Sequence, residues 1–319
     1  MKNSNYDTMI KKISKSIILI ILLILIYVAF IVSSDITKIN ESIMKMKPSY
    51  LLIAVFFWTS GFLINSIRWH FFINEFTKKI SFKQNIQYYL AGFAFVISPG
   101  GIGEIVRSPY IKRDYGVSIS KTASIIFVQR IYDLIGLTIV LSIGLIFIDY
   151  SKTIILVPIS ILFFIILILK NKNKLLKLMN LVSKIKLFRN LDSNVEEIYD
   201  SIAKLLKAKF FILGCSISTI SFIFYSTAVY FLITGLDAYL SFQEIMVIST
   251  ISQLLAFISL IPAGIGVFEG GMIGLFTLYG IDYETAITAT ILIRLITTGV
   301  VTVIGLYFLR IISKPKSIE

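Results

Sequence analysis

Residues Ser98 to Pro109 read SPGGIGEIVRSP. Two prolines and three glycines share these twelve positions with a glutamate and an arginine. Proline removes a backbone donor and glycine admits positive φ, so Pro99, Gly100, Gly101 and Gly103 read as a turn between two half-helices. What lies around the stretch decides what such a break is for.

The surroundings are those of an all-α polytopic membrane protein. The 319-residue chain is 56% hydrophobic and 15% charged, with a mean hydropathy of +0.87. Its apolar runs of about 17–25 residues suit a hydrocarbon core about 30 Å thick. Six full spans are expected, at 17–33, 51–67, 121–148, 153–169, 210–236 and 286–309. The first follows Lys11, Lys12 and Lys15 but lacks a small-residue cleavage site, so it reads as a retained span. A lone Cys215 and a lone His70 exclude a disulfide framework and a His-rich metal site, so no metal and no other cofactor is expected.

Two further apolar segments, 84–97 and 243–261, run into Pro-Gly clusters. Charge decides their topology. The tract from Lys170 to Lys209 holds ten of the 31 Lys and Arg residues and is placed in the cytoplasm. The loop 68–83, with Arg68, Lys78, Lys79 and Lys83, falls on the same side when the N-terminus does. Both ends of 84–120 are then cytoplasmic, so that segment enters the membrane and returns. The same logic makes 242–285 a second re-entrant segment, entering from outside. This places 25 Lys and Arg in the cytoplasm with both termini, in a multi-pass protein of the cell membrane. Eight full crossings are the alternative, and would put Lys112 and Arg113 outside. The net charge of +13 thus reflects topology and anionic lipid rather than a nucleic-acid partner. Within the tract, Leu175, Leu178, Met179, Val182 and Ile185 recur at helical spacing among lysines, as in a basic amphipathic helix on the membrane surface.

The two broken segments resemble each other. PGGIGE from Pro99 leads to YGVSISKTA from Tyr115 and then Arg130; PAGIGVFEGG from Pro262 leads to YGIDYETA from Tyr279 and then Arg294. The spacing from Gly116 to Arg130 equals that from Gly280 to Arg294. Pro262, Gly264 and Gly266 are the counterparts of the first turn. One membrane domain, 1–319, therefore divides into repeat halves 15–150 and 151–312, with 170–209 as connector. Each half has three spans and one re-entrant segment, so the halves face opposite ways. Inverted repeats with interrupted helices mark a transport pathway whose site lies at their interface.

Six ionisable residues lie in or beside the segments: Glu104, Arg107, Arg130, Asp133, Glu269 and Arg294. A charge within a span costs about 2.5–3.5 kcal/mol on insertion scales, so each needs a partner or a task. Two readings stay open. Arg130 pairs with Asp133 or Glu104 and Arg294 with Glu269 as structural ties, or the arginines bind a phosphate headgroup while the carboxylates balance the charge. On the second reading Glu104 and Arg107 face a polar cavity. Gln129 and Gln253 are further candidates for its wall.

The quoted motifs, with ILIRLITTGVVTVIGL around Arg294, resemble the lysylphosphatidylglycerol synthase transmembrane region over about residues 15–310. That flippase-like family includes the membrane half of the multiple peptide resistance factor. The resemblance implies a lipid flippase fold that moves lysyl-phosphatidylglycerol or another phospholipid between leaflets. The chain stops at Glu319, so the soluble aminoacyltransferase domain of the best-known members is expected to be absent. No catalytic residue is assigned, and the reading leans against an enzyme although the family name carries a lysyltransferase label. Anionic phospholipid or polyprenyl-linked lipid is the expected partner, with a separate lipid-modifying enzyme and an oligomer left open. The alternative is a membrane accessory of a phosphatidylglycerol lysyltransferase or a lipid glycosyltransferase. Family members often carry Glu-Arg where this chain has Gln129-Arg130, which leaves Glu104, Asp133 and Glu269 as candidate proton carriers.

Overall fold

The computed structural model describes residues 36–96, 98–148, 156–170, 195–259 and 261–314. The expected span 17–33 and the periodic stretch Leu175–Ile185 lie outside them. Every described regular element is helical. After α1 (Ile36–Lys45) comes α2 (Pro48–Ile73), which starts on a proline whose missing N–H costs nothing at that position. α3 (Phe82–Ala91) opens on a reciprocal cap between Ser81 and Gln84 and tightens into a 3-10 turn, Gly92–Phe95. A second 3-10 helix, Pro99–Arg107, leads into α4 (Ser108–Tyr115) and then α5 (Ile119–Ile146). α6 (Leu156–Lys170) and α7 (Val195–Leu205) precede α8 (Ala208–Gly235) and α9 (Phe242–Ile258). A turn, Pro262–Gly264, precedes α10 (Val267–Leu278). The last run is α11 (Tyr283–Arg294), a π-helical stretch Leu295–Val300, and α12 (Val301–Ser313).

Four of these helices are long and apolar enough to cross a membrane: Pro48–Ile73, Ile119–Ile146, Ala208–Gly235 and Tyr283–Ser313. They correspond to four of the six expected spans. The span expected at 153–169 appears as the shorter α6. The segments expected at 84–97 and 243–261 become α3 with its 3-10 turn and α9, each ending before a Pro-Gly cluster.

The repeated Tyr-Gly pairs do the same local work. Gly116 (φ 69°) ends α4 and Gly280 (φ 91°) follows the end of α10, both in the left-handed region. Two residues later Ser118 and Asp282 cap the helices that carry Arg130 and Arg294. The Pro-Gly clusters differ. The second is a tight turn with positive φ at Ala263, Gly264 and Gly266. The first continues as a 3-10 helix to Arg107, with the Gly103 N–H donating to Ser98 Oγ.

α5 is the most enclosed of the long helices, whereas α2 presents Leu52, Phe56, Leu63 and Phe71 outward, as a lipid-facing helix would. α8 crosses α5 and α2 over small residues. A Cβ on Gly136 would lie 2.6 Å from Ser218 Cβ, and one on Gly61 3.1 Å from Phe224 Cβ. Close crossings of this kind let packing replace a hydrophobic drive that lipid does not provide. One apolar core gathers Trp69, Phe72, Tyr132 and Phe210; a second gathers Leu232, Phe268, Met272 and Phe276. Leu137, Leu141, Val247 and Leu254 join them where α5 meets α9.

The described C-terminal part of the connector, α7, packs into the protein: Ile202 and Leu205 are buried in the first core. Ser124 Oγ donates to the Ile198 carbonyl (3.2 Å) and Tyr132 OH to that of Leu205 (2.6 Å). Tyr132→Phe is expected to lower stability by about 1–3 kcal/mol, because it strands a buried acceptor. A thermal midpoint in detergent equal to that of the unsubstituted protein would contradict this.

Candidate functional site

The site grows from α5. Its Arg130 and Asp133 are one turn apart and therefore share a face, and they bond each other at 3.2 Å. Arg130 also holds Glu104 of the Pro99–Arg107 helix, and Glu104 in turn takes Arg107 at 2.8 Å. At the other end Asp133 accepts from Arg68 of α2 (2.8 Å) and from Ser218 Oγ of α8 (3.1 Å). The result is a ladder of alternating charge, Arg68–Asp133–Arg130–Glu104–Arg107, running across three elements. A smaller unit faces it: Arg294 donates to Glu269 (2.7 Å) and to the Ala263 carbonyl (2.9 Å), and its guanidinium lies 4.1 Å from the centroid of the Phe268 ring. Glu269 also accepts from the Gly266 N–H at 2.8 Å, which seats α10 on its N-terminal turn.

Between the two units lies a cavity of about 290 Å³. Four of the six expected residues line it, Glu104, Arg130, Asp133 and Arg294, together with Gln129 and Gln253. Gly264 of the second turn is in the wall, while Gly103 of the first is buried beside it. Glu269 stands behind Arg294 and does not line the cavity. Arg107 departs from expectation. Its side chain is 0% exposed, set 3.6 Å from the centroid of the Trp69 ring and bonded to the Tyr89 carbonyl, so it braces Glu104 from behind.

The structural pairs exist, yet the Arg130 side chain keeps 30% of its exposure and opens onto the cavity. Arg68 was assigned to a loop by charge counting; α2 instead runs on to Ile73 and holds it 3% exposed in the cavity wall. Its signal was periodicity, since Asn65, Arg68 and Phe72 lie on one stripe of a helix. Asn65 and Tyr225 were missed as well. Both line the cavity, and Asn65 Oδ1 and the Tyr225 hydroxyl are buried without a hydrogen-bond partner. Among the described residues no cluster of three or more His, Cys, Asp or Glu could hold a metal ion.

A helical membrane protein with an arginine-lined cavity between two interrupted segments is the class that fold and site define. The model of the family described as "Lysylphosphatidylglycerol synthase TM region" matches residues 17–305, and the chain belongs to that family. It is 25% identical to the UPF0104 membrane protein PH1989 of Pyrococcus horikoshii, over 91% of this chain and 95% of that protein. It is 26% identical to the UPF0104 membrane protein MJ1595 of Methanocaldococcus jannaschii, over 95% of this chain and 96% of that one.

Proposed function

We propose that this protein is a lipid flippase or scramblase that carries a phosphate-bearing headgroup between leaflets. The observation that carries the reading is the cavity bounded by Arg68, Arg130 and Arg294, where two Pro-Gly segments meet. Guanidinium groups bind phosphate oxygens through paired N–H donors. A volume of about 290 Å³ is at the small end for ligand pockets, enough for a headgroup while acyl chains stay in lipid. On this reading 15–150 and 151–312 are inverted halves, the Pro-Gly segments are re-entrant, and both termini are cytoplasmic. The equal spacing from Gly116 to Arg130 and from Gly280 to Arg294, each beginning at a left-handed glycine, supports the repeat.

The test is transport of labelled phosphatidylglycerol in proteoliposomes. Arg130→Gln with Arg294→Gln is expected to slow movement about tenfold or more, the scale of losing one charge-assisted contact. Variant protein that is folded and as fast as the unsubstituted form would remove the site assignment.

A further inference from the structure

Four arginines and three carboxylates form the two units around the cavity: Arg68, Arg107, Arg130 and Arg294 against Glu104, Asp133 and Glu269. The two units together therefore carry one positive charge in excess, and each of their carboxylates is already held by at least one arginine, at distances up to 3.2 Å. Resting on the transport reading of this same cavity, we infer that it selects a headgroup with a single negative charge and hydroxyls, as in a phosphoglycerol diester, and rejects one that brings an ammonium group.

Charge balance supplies the first half of the argument. A buried, uncompensated charge is costly, and a monoanion entering the cavity neutralises the excess. A zwitterionic phosphoethanolamine leaves the excess in place. A lysyl ester of the phosphoglycerol diester, with two ammonium groups against one phosphate, increases it. The strongest partner for an incoming ammonium is a carboxylate. Taking a carboxylate means displacing an arginine. The two aromatic rings of the wall nearest the charged units are already matched with cations, Phe268 with Arg294 (4.1 Å) and Tyr89 with Arg107 (5.5 Å).

Neutral polar atoms supply the second half. Asn65 and Tyr225 line the cavity, and just behind the lining Asn65 Oδ1 and the Tyr225 hydroxyl are buried with no partner, a standing cost that a turn of either side chain toward a ligand hydroxyl relieves. Gln129 and Gln253 add uncharged amides to the same wall. Phosphate on the arginines and hydroxyls on this neutral wall account for both kinds of lining.

Both tryptophans of the chain report on the site, since Trp58 lines the cavity and Trp69 packs against Arg107. Detergent-solubilised full-length protein is titrated with short-chain phosphatidylglycerol, phosphatidylethanolamine and lysyl-phosphatidylglycerol, and binding is followed by tryptophan fluorescence. Phosphatidylglycerol is expected to bind roughly tenfold or more tighter than the lysyl lipid. Gln253→Glu, which cancels the excess charge, is expected to narrow or reverse that ratio. Lysyl lipid binding as tightly as phosphatidylglycerol would overturn the inference, and so would a ratio that ignores Gln253→Glu. Glycerophosphoglycerol, the deacylated headgroup, is a separate arm: competition by it alone, without lipid binding, sinks the lipid assignment. Proteoliposomes separate the two ideas. Selective binding without lipid movement removes only the transport reading, and equal movement of both lipids removes only the headgroup selectivity.

Discussion

Asp133→Asn is expected to destabilise the protein by about 3–5 kcal/mol, the cost of breaking a buried ion pair from one side. The aspartate is the junction of the ladder, taking Arg68 and Ser218 on one oxygen and Arg130 on the other. Asparagine keeps the shape and loses the charge. Arg130 retains Glu104, but Arg68 is 3% exposed, has no other carboxylate among its described partners, and already has an unpartnered Nε. Its charge is then left without a carboxylate partner. Equilibrium unfolding in mixed micelles reads the effect. Removing both partners, Arg68→Met with Asp133→Leu, is expected to recover most of it, since an apolar pair of similar volume carries no charge to solvate. A single variant as stable as the unsubstituted protein would mean the ladder holds no strain-bearing charge.

Gly305→Ala is expected to cost about 1–3 kcal/mol through overpacking, and more if the backbone cannot yield. An added Cβ would lie 2.3 Å from the Ala94 nitrogen and 2.5 Å from the Phe93 carbonyl carbon. Those atoms belong to the 3-10 turn Gly92–Phe95, and on its other side Gly103 would put a Cβ 2.0 Å from the Phe95 oxygen. The turn is held between two glycines and meets backbone, not a side chain that could swing aside. Phe93 from this turn lines the cavity, so binding should weaken along with stability. Gly274→Ala is the control: nothing lies within 4 Å of its Cβ position in α10, and helix propensity favours alanine there. Equal midpoints for the two alanine variants would refute the close approach.

The sequence located the chemistry better than the walls. Glu104, Arg130, Asp133 and Arg294 were legible because charge is rare in apolar helices; the first three each stand three positions from a partner, and Arg294 repeats the spacing of Arg130 from its Tyr-Gly pair. Their convergence on one cavity followed from the matched spacing after Gly116 and Gly280. Arg68 was not legible to charge counting, which assigns every cation at the edge of an apolar run to the adjoining loop. Helix α2 overrides that rule by burying Arg68, Trp69 and Phe72 one turn further on. Arg107 went astray for a different reason. Its place behind Glu104 depends on Trp69 and Tyr89, which are distant in sequence and meet it only in the tertiary packing. The docking of α7 was hidden in the same way, since an amphipathic pattern shows which face is apolar and not what covers it.

The π-helical stretch after Arg294 makes the two sides of the cavity mechanically unequal. α5 continues past Arg130 in regular α-helical form from Ile119 to Ile146, whereas Leu295–Val300 is already wound wide. Thr297 and Thr298 of this widened turn line the cavity, and Arg294 leans on Thr298 at 3.4 Å. Regular helix resists bending because several hydrogen bonds must fail together. A widened turn has already exchanged that ladder for longer links, and π-bulges recur at functional sites for this reason. One wall is stiff and the other compliant, so deformation of the cavity concentrates on the side of Arg294, where a single carboxylate holds the cation.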